Sequence, residues 1–385
     1  MSLTKKGKDD IYAYILVLLV YVPSNTWGNI VRVAAVALLF FLKMGHLAEF
    51  KIRRLALCMV VSPVFPALIV LLLERGVNMP LVAHEIMRMV FCAFIIMTVS
   101  RFHVSFRCLY ICCIAALIPN LIIQILQYNG VESSFTFVKN NYVDSSMMDE
   151  WTHLELARIE GGGFRSGSIF LNPNVYMVIP LLSTVIFCKA DSRSPNIINY
   201  LLIGCSIASC LLTGSRTATV VLAVILGIYL FRYSSGISRF VFAVGLAAAV
   251  IFFGSSLLSG ARSLTFSEES SDSLEVKIRS FYYYWVSTSE YPAYWITGSL
   301  GSRVAAGADS EFGHIYTWFG PFGLFWYVHY IRAIYKRNRE ITFYSKPIAY
   351  VSLLVAITAS LLLCMPIYSF VCLVQFASLQ ISGEE

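Results

Sequence analysis

Apolar runs separated by short polar turns repeat along almost the whole chain. They cover residues 11–23, 29–46, 55–74, 86–100, 107–128, 169–189, 196–213, 217–231, 240–258, 313–331 and 347–366. A last piece, 368–382, reads as a twelfth span or a re-entrant segment. A hydrocarbon layer takes about 20 apolar residues per helix. Backbone groups inside it must bond within their own segment, so the runs are expected to be helices. The pattern therefore predicts an all-α polytopic membrane protein with about 11–12 transmembrane helices, residues 1–385 forming a single membrane domain. The rhythm is broken twice, by long polar loops at about 129–168 and 259–312.

Both loops carry helical signals of their own. In the first, Ser146 and Asp149 can start a helix with Trp151, Leu154 and Arg158 along one face, stopped by Gly161-Gly162-Gly163. In the second, Asp272 and Glu275 form a capping box, and Leu274, Ile278, Phe281, Tyr282 and Trp285 follow at helical spacing until Tyr291-Pro292. Short interfacial helices fit both stripes, since Trp and Tyr favour the membrane boundary. Packing of the same stripes against the spans fits them equally.

Composition agrees with the pattern. Hydrophobic residues make up 58% of the chain and charged residues 13%, about half the charge of a soluble domain. The net charge of +7 is explained by topology rather than by nucleic acid. With the N-terminus in the cytoplasm, Lys5, Lys6, Lys8, Lys51, Arg53, Arg54, Arg332, Lys336, Arg337 and Arg339 all fall inside. Both long loops and Arg216 then lie on the opposite, external face. The first apolar run follows three lysines, but Val22-Pro23-Ser24-Asn25-Thr26-Trp27 makes a poor cleavage site, so a retained span is expected. All ten cysteines fall in or at the ends of spans, so no disulfide framework is expected.

Candidate chemistry gathers on the loop side. Arg165 precedes Asn172-Pro173-Asn174, where Asn172 is a natural N-cap and Pro173 a first helical residue. Arg216 stands in the turn Thr213-Gly214-Ser215-Arg216 between two apolar runs, and Arg279 lies beside Tyr282, Tyr283 and Tyr284. A guanidinium stays charged and donates two parallel hydrogen bonds, which suits phosphate. Three arginines facing one external space suit a lipid-linked diphosphate. Asp309, Glu311 and His314 stand at the outer end of a span, where any of the three can take a hydroxyl proton. A solvated helix start, with acids at its positive end, accounts for the same cluster. No nucleotide-binding loop and no Asp-x-Asp pair in an external loop is present, so neither a metal nor another cofactor is indicated.

These pieces together resemble the O-antigen polymerase and ligase superfamily of bacterial envelopes. The likeness rests on Arg165-Ser166-Gly167 with Asn172-Pro173-Asn174, on Thr213-Gly214-Ser215-Arg216-Thr217-Ala218, on Arg279 with Tyr291-Pro292 and Gly298, and on Asp309-Ser310 with Gly320 and Gly323. It spans residues from about 160 to 325; the first 150 match only as a series of spans. Ligases of this superfamily have His-Asn where this chain has Asp309-Ser310, which favours the polymerases. The resemblance implies a glycosyltransferase of C-type fold in the bacterial inner membrane, with its active face periplasmic. It would polymerise oligosaccharide units carried on undecaprenyl diphosphate, inverting the anomeric carbon without a metal. Arg165, Arg216 and Arg279 would hold the diphosphate, and Asp309, Glu311 or His314 would orient or deprotonate the acceptor. Membrane lipids, a chain-length regulator and a flippase would be its partners. A ligase acting on lipid A-core, and a flippase or other transporter, are the alternatives.

Overall fold

The computed structural model describes residues 5–23, 25–43, 49–74, 76–143, 151–152, 166–170, 172–233, 236, 239, 279, 282–302, 311–341, 343–356 and 365–380. They are mostly helical. Among them, four helical stretches are long and apolar enough to cross a membrane: Phe50–Glu74, Met79–Val99, Phe106–Tyr128 and Pro173–Arg193. Shorter apolar helices cover Trp27–Leu42, Ile197–Leu212, Thr217–Phe231, Ser345–Ala356 and Pro366–Phe376. Leu38, Phe41, Leu57, Leu68 and Leu72 stand on the outer surface, where a soluble protein would carry more charge and where lipid suits them. The expected span 240–258 lies outside the described residues.

In chain order the helices are α1 (Lys5–Leu18), α2 (Thr26–Leu42), α3 (Phe50–Val61), α4 (Val64–Glu74), α5 (Met79–Val99), α6 (Phe106–Tyr128), α7 (Glu132–Tyr142), α8 (Pro173–Tyr176), α9 (Val178–Arg193), α10 (Ile197–Leu212), α11 (Arg216–Ile228), α12 (Tyr294–Thr297), α13 (Glu311–Lys336), α14 (Ser345–Ala356) and α15 (Met365–Phe376). Helix α9 is the axis of the bundle. Its residues from Val178 to Lys189 are all buried, with α6, α10, α11, α14 and α15 packed around it.

One end of the bundle is tied by charges. Asp9 pairs with Lys43 and accepts the His103 amide at 3.0 Å. Arg101 reaches the Lys43 carbonyl at 3.1 Å. Arg337 bonds the Ser100 carbonyl, the Phe376 carbonyl and Glu49. Helix termini leave carbonyls without intrahelical partners, and basic side chains satisfy them here. Two short strands, β1 (His103–Ser105) and β2 (Ser378–Gln380), pair in parallel at the same end. This is a small departure from the all-α expectation: the chain leaves α15 beside the turn that enters α6 and bonds its backbone.

Proline explains a second tie. Pro119 lies inside α6 and has no N–H for the Ala115 carbonyl one turn back. The Tyr21 hydroxyl donates to that carbonyl at 2.6 Å. The expected span 55–74 is interrupted by a turn at Ser62-Pro63, and the expected span 86–100 starts earlier, at Met79. In the first long loop the chain forms α7, a helix that the periodicity of 129–168 does not announce. Phe135 and Val138 of α7 bury Trp151 and Ile169 against them. Leu154, Arg158 and Gly161 to Gly163 lie outside the described residues, as do Asp272, Leu274, Glu275, Ile278 and Phe281.

Candidate functional site

At the end opposite the charge ties, the motifs singled out by sequence come together in two pairs. The first pair joins the segment after Arg165 to the turn that carries Arg216. The Ser166 amide donates to the Leu212 carbonyl at 3.2 Å, so the two backbones lie side by side. Ser166 is held from below by Gln127, which accepts its hydroxyl at 2.6 Å. The Gln124 side-chain amide donates to the Ser166 and Ser209 carbonyls and accepts the Ser209 hydroxyl. Ser168 donates to Asn120 at 2.6 Å. These groups are buried, and inside an apolar bundle each must find a partner. The network therefore fixes where the loop enters the bundle.

Local caps finish the arrangement. Asn172 accepts the Asn174 amide at 3.0 Å, with Pro173 as the first helical residue of α8, as the sequence predicts. Gly214 takes φ +58, a conformation that glycine adopts without strain. Ser215 then caps α11 by accepting the Ala218 amide at 3.4 Å. Its hydroxyl also reaches the Met177 sulfur at 3.3 Å, which ties the Asn-Pro-Asn corner to the Thr-Gly-Ser-Arg turn.

The second pair joins Gly298 to Gly320. Helix α13 is broken at Gly320, which has non-helical torsions (φ 62, ψ −162), and Pro321 follows it. Pro321 offers no N–H to the Thr317 carbonyl. Ser299 takes that acceptor with both its amide (2.9 Å) and its hydroxyl (2.8 Å), and the Leu300 amide takes the Trp318 carbonyl at 3.3 Å. The segment after α12 thus docks into the gap of the broken helix. A Cβ on Gly298 would overlap the Trp318 carbonyl, and one on Gly320 would overlap the Ile296 carbonyl. Each glycine is needed because the other backbone is there.

Beside this pair lies a set of polar residues, half-buried on α4 and buried on α5 and α13. Glu85 and Arg88, one turn apart on α5, form an ion pair with both side chains 2% exposed. Arg88 Nη2 also meets His314 Nε2 at 3.3 Å. The His314 ring lies against Trp318, with centroids 3.9 Å apart. Glu74 accepts hydrogen bonds from Ser302 and, at 2.8 Å, from Tyr294. Burial, then the bond to Glu74 and its charge, push the Tyr294 phenol up, so it stays a donor. Burial also pushes Tyr284 up, to about 12; its hydroxyl donates to the Tyr294 carbonyl at 3.1 Å.

The candidate residues are distributed unevenly over this site. Arg165 and Asp309 lie outside the described residues. Arg216 is the first residue of α11, and Glu311 the first of α13. Arg279 is helical and exposed, as are Tyr282 and Tyr283. His314 departs from the picture of a solvated helix start. It is 6% exposed and faces a guanidinium. Sequence reasoning missed Glu85 and Arg88, although a signal was present. Glu85-Ile86-Met87-Arg88 puts two opposite charges one turn apart at the edge of an apolar run, and intramembrane charges are costly unless they pair or serve a function. Arg32 is a second buried arginine. It donates to the Leu19 and Val22 carbonyls and to Asn29, which closes the α1–α2 corner. No protein-family model matches the chain, and no curated protein matches it.

Proposed function

We propose that this chain is a membrane glycosyltransferase of about 11–12 spans that polymerises lipid-linked oligosaccharide units at its loop face. The reading rests on the resemblance described above and on one observation. The Ser166–Leu212 backbone bond sets the described segment that starts at Ser166 beside the end of the helix that leads into the Arg216 turn. The Arg216 turn at the mouth of an apolar bundle suits a diphosphate whose lipid tail lies in the membrane, and the resemblance adds Arg165, which directly precedes Ser166 in sequence. In the reaction, the bond between the anomeric carbon and the diphosphate oxygen breaks, and a bond to an acceptor hydroxyl forms. The hydroxyl proton leaves to a base, and the lipid diphosphate departs with the electron pair. Charge grows on that leaving group, and preorganised cations stabilise it.

Deletion of the gene, followed by electrophoresis of the surface polysaccharide, tests the reading. The expected result is a collapse of the ladder to a single repeat unit, restored by the intact gene. An unchanged ladder would sink it, whereas a bare core with accumulating lipid-linked polymer would point to the ligase. A transporter reading is favoured by one observation, the break of α13 at Gly320, because discontinuous helices line the binding sites of many transporters. Purified protein separates the two: a transferase lengthens lipid-linked units in detergent, where no compartment exists to cross.

Sidedness is a separate prediction. In a background without native cysteines, Ser133→Cys and Ser289→Cys, both at exposed positions, should label from outside intact spheroplasts. Arg339→Cys should label only after lysis. The reverse pattern would place the loop face in the cytoplasm and remove the periplasmic active site.

A further inference from the structure

The contact between Arg88 and His314 determines which ring nitrogen is free to act. A guanidinium only donates hydrogen bonds. The nitrogen that faces it, Nε2 at 3.3 Å, must therefore be the one that carries no hydrogen, and the ring hydrogen sits on Nδ1. Arg88 cannot turn away, because the same Nη2 also bonds Glu85. The imidazole cannot turn easily either, because it is packed against Trp318. Among the described residues no hydrogen bond occupies Nδ1, and Nδ1 is not one of the enclosed polar atoms that lack a partner. A ligand oxygen can take its N–H.

We infer that Glu85, Arg88 and Trp318 lock His314 as a hydrogen-bond donor through Nδ1, which holds an oxygen of the lipid-linked substrate and takes no proton from the acceptor. This rests on the polymerase reading of the site and narrows it: His314 is not the base, which leaves Asp309 and Glu311 for that role. Glu85 and Arg88 are positioning residues that act through His314.

Two amide substitutions separate the nitrogens. The side-chain nitrogen of asparagine falls where Nδ1 is and donates as its N–H does, whereas glutamine reaches the place of Nε2 and turns its side-chain oxygen there, the one atom of the amide that accepts from a guanidinium. His314→Gln can still accept from Arg88, so it should melt close to wild type in detergent but extend lipid-linked units about a hundredfold more slowly, the usual scale for a lost donor. His314→Asn loses the Arg88 bond and should melt lower, yet turn over at least tenfold faster than His314→Gln. Stability and turnover then move in opposite directions, which a merely structural histidine would not produce. Equal turnover, or the reverse order, overturns the proposal. A second measurement does not depend on turnover. In protein carrying ¹⁵N-labelled histidine, the resonances lost in His314→Asn identify His314. A hydrogen on Nδ1 only, with the Nε2 signal moving in Arg88→Lys, is expected. A hydrogen on Nε2 overturns the proposal. Wild-type protein that extends no lipid-linked units, with the Nδ1 hydrogen in place, would instead sink the polymerase reading while leaving the lock standing.

Discussion

Replacing Arg216 or Arg279 by alanine is expected to abolish polymer while the protein still inserts and melts normally. Arg216 is the first residue of α11, directly after the Ser215 cap. A cation there sits at the positive end of the helix dipole, which costs about 0.3–1 kcal/mol. Helix stability therefore gives no reason for an arginine at this position, and Arg216→Ala should leave the melting temperature unchanged or slightly raised. An anion is the natural occupant of a helix N-terminus, and on the proposed reading the arginine would add bidentate contacts to it. Arg279 is exposed, so its removal should not weaken the fold either. Loss of one charge stabiliser typically lowers turnover by about 10²–10³. Lysine should restore only part of it, because an ammonium cannot make the two parallel bonds of a guanidinium. Ladder analysis of each variant, beside its level in the membrane, checks this. Full ladders from both alanine variants would remove the diphosphate site.

Legibility followed the physics of each feature. Apolar runs such as 107–128 were readable as helices because a long apolar segment must satisfy its backbone within itself, and α6 begins and ends within one residue of that run. The Asn172 and Pro173 corner was readable because capping is local chemistry. Helix α7 was not readable, since Glu132 to Tyr142 is polar on most sides and its helix depends on Phe135 and Val138 finding Trp151 and Ile169. The His314 environment was hidden for the same reason. Its partner Arg88 is more than two hundred residues away, as the 226-residue separation of the two shows, and spacing along a chain says nothing of such a meeting. His314 read from sequence as one of three acids and bases in solvent. Packing gives it a guanidinium on one nitrogen and an indole on its face. The break in α13 falls between these cases. Gly320-Pro321 announces an interruption, but only the fold shows that Ser299 and Leu300 fill it.

The glycines at that break should be hard to replace. Gly298 has φ 79 and ψ 170 and Gly320 has φ 62 and ψ −162, a positive-φ extended conformation essentially confined to glycine, which costs another residue about 1–3 kcal/mol. The added methyl would also overlap backbone, the Trp318 carbonyl in one case and the Ile296 carbonyl in the other. Backbone pinned by the Ser299 and Leu300 bonds cannot step aside, and overpacking of this kind adds about 1–3 kcal/mol. Each of Gly298→Ala and Gly320→Ala is therefore expected to cost about 3 kcal/mol or more and to undock the segment that leads to Ser302 and its partner Glu74. Turnover should fall with the fold. Gly204 in α10 and Gly227 in α11 provide the contrast, since a Cβ built on either meets nothing within 4 Å. Alanine at those helical sites should be neutral or stabilise by up to about 1 kcal/mol. Thermal melts of the four variants in detergent give the answer. Equal melting of Gly298→Ala, Gly320→Ala and the two controls would mean that the loop does not dock into the broken helix.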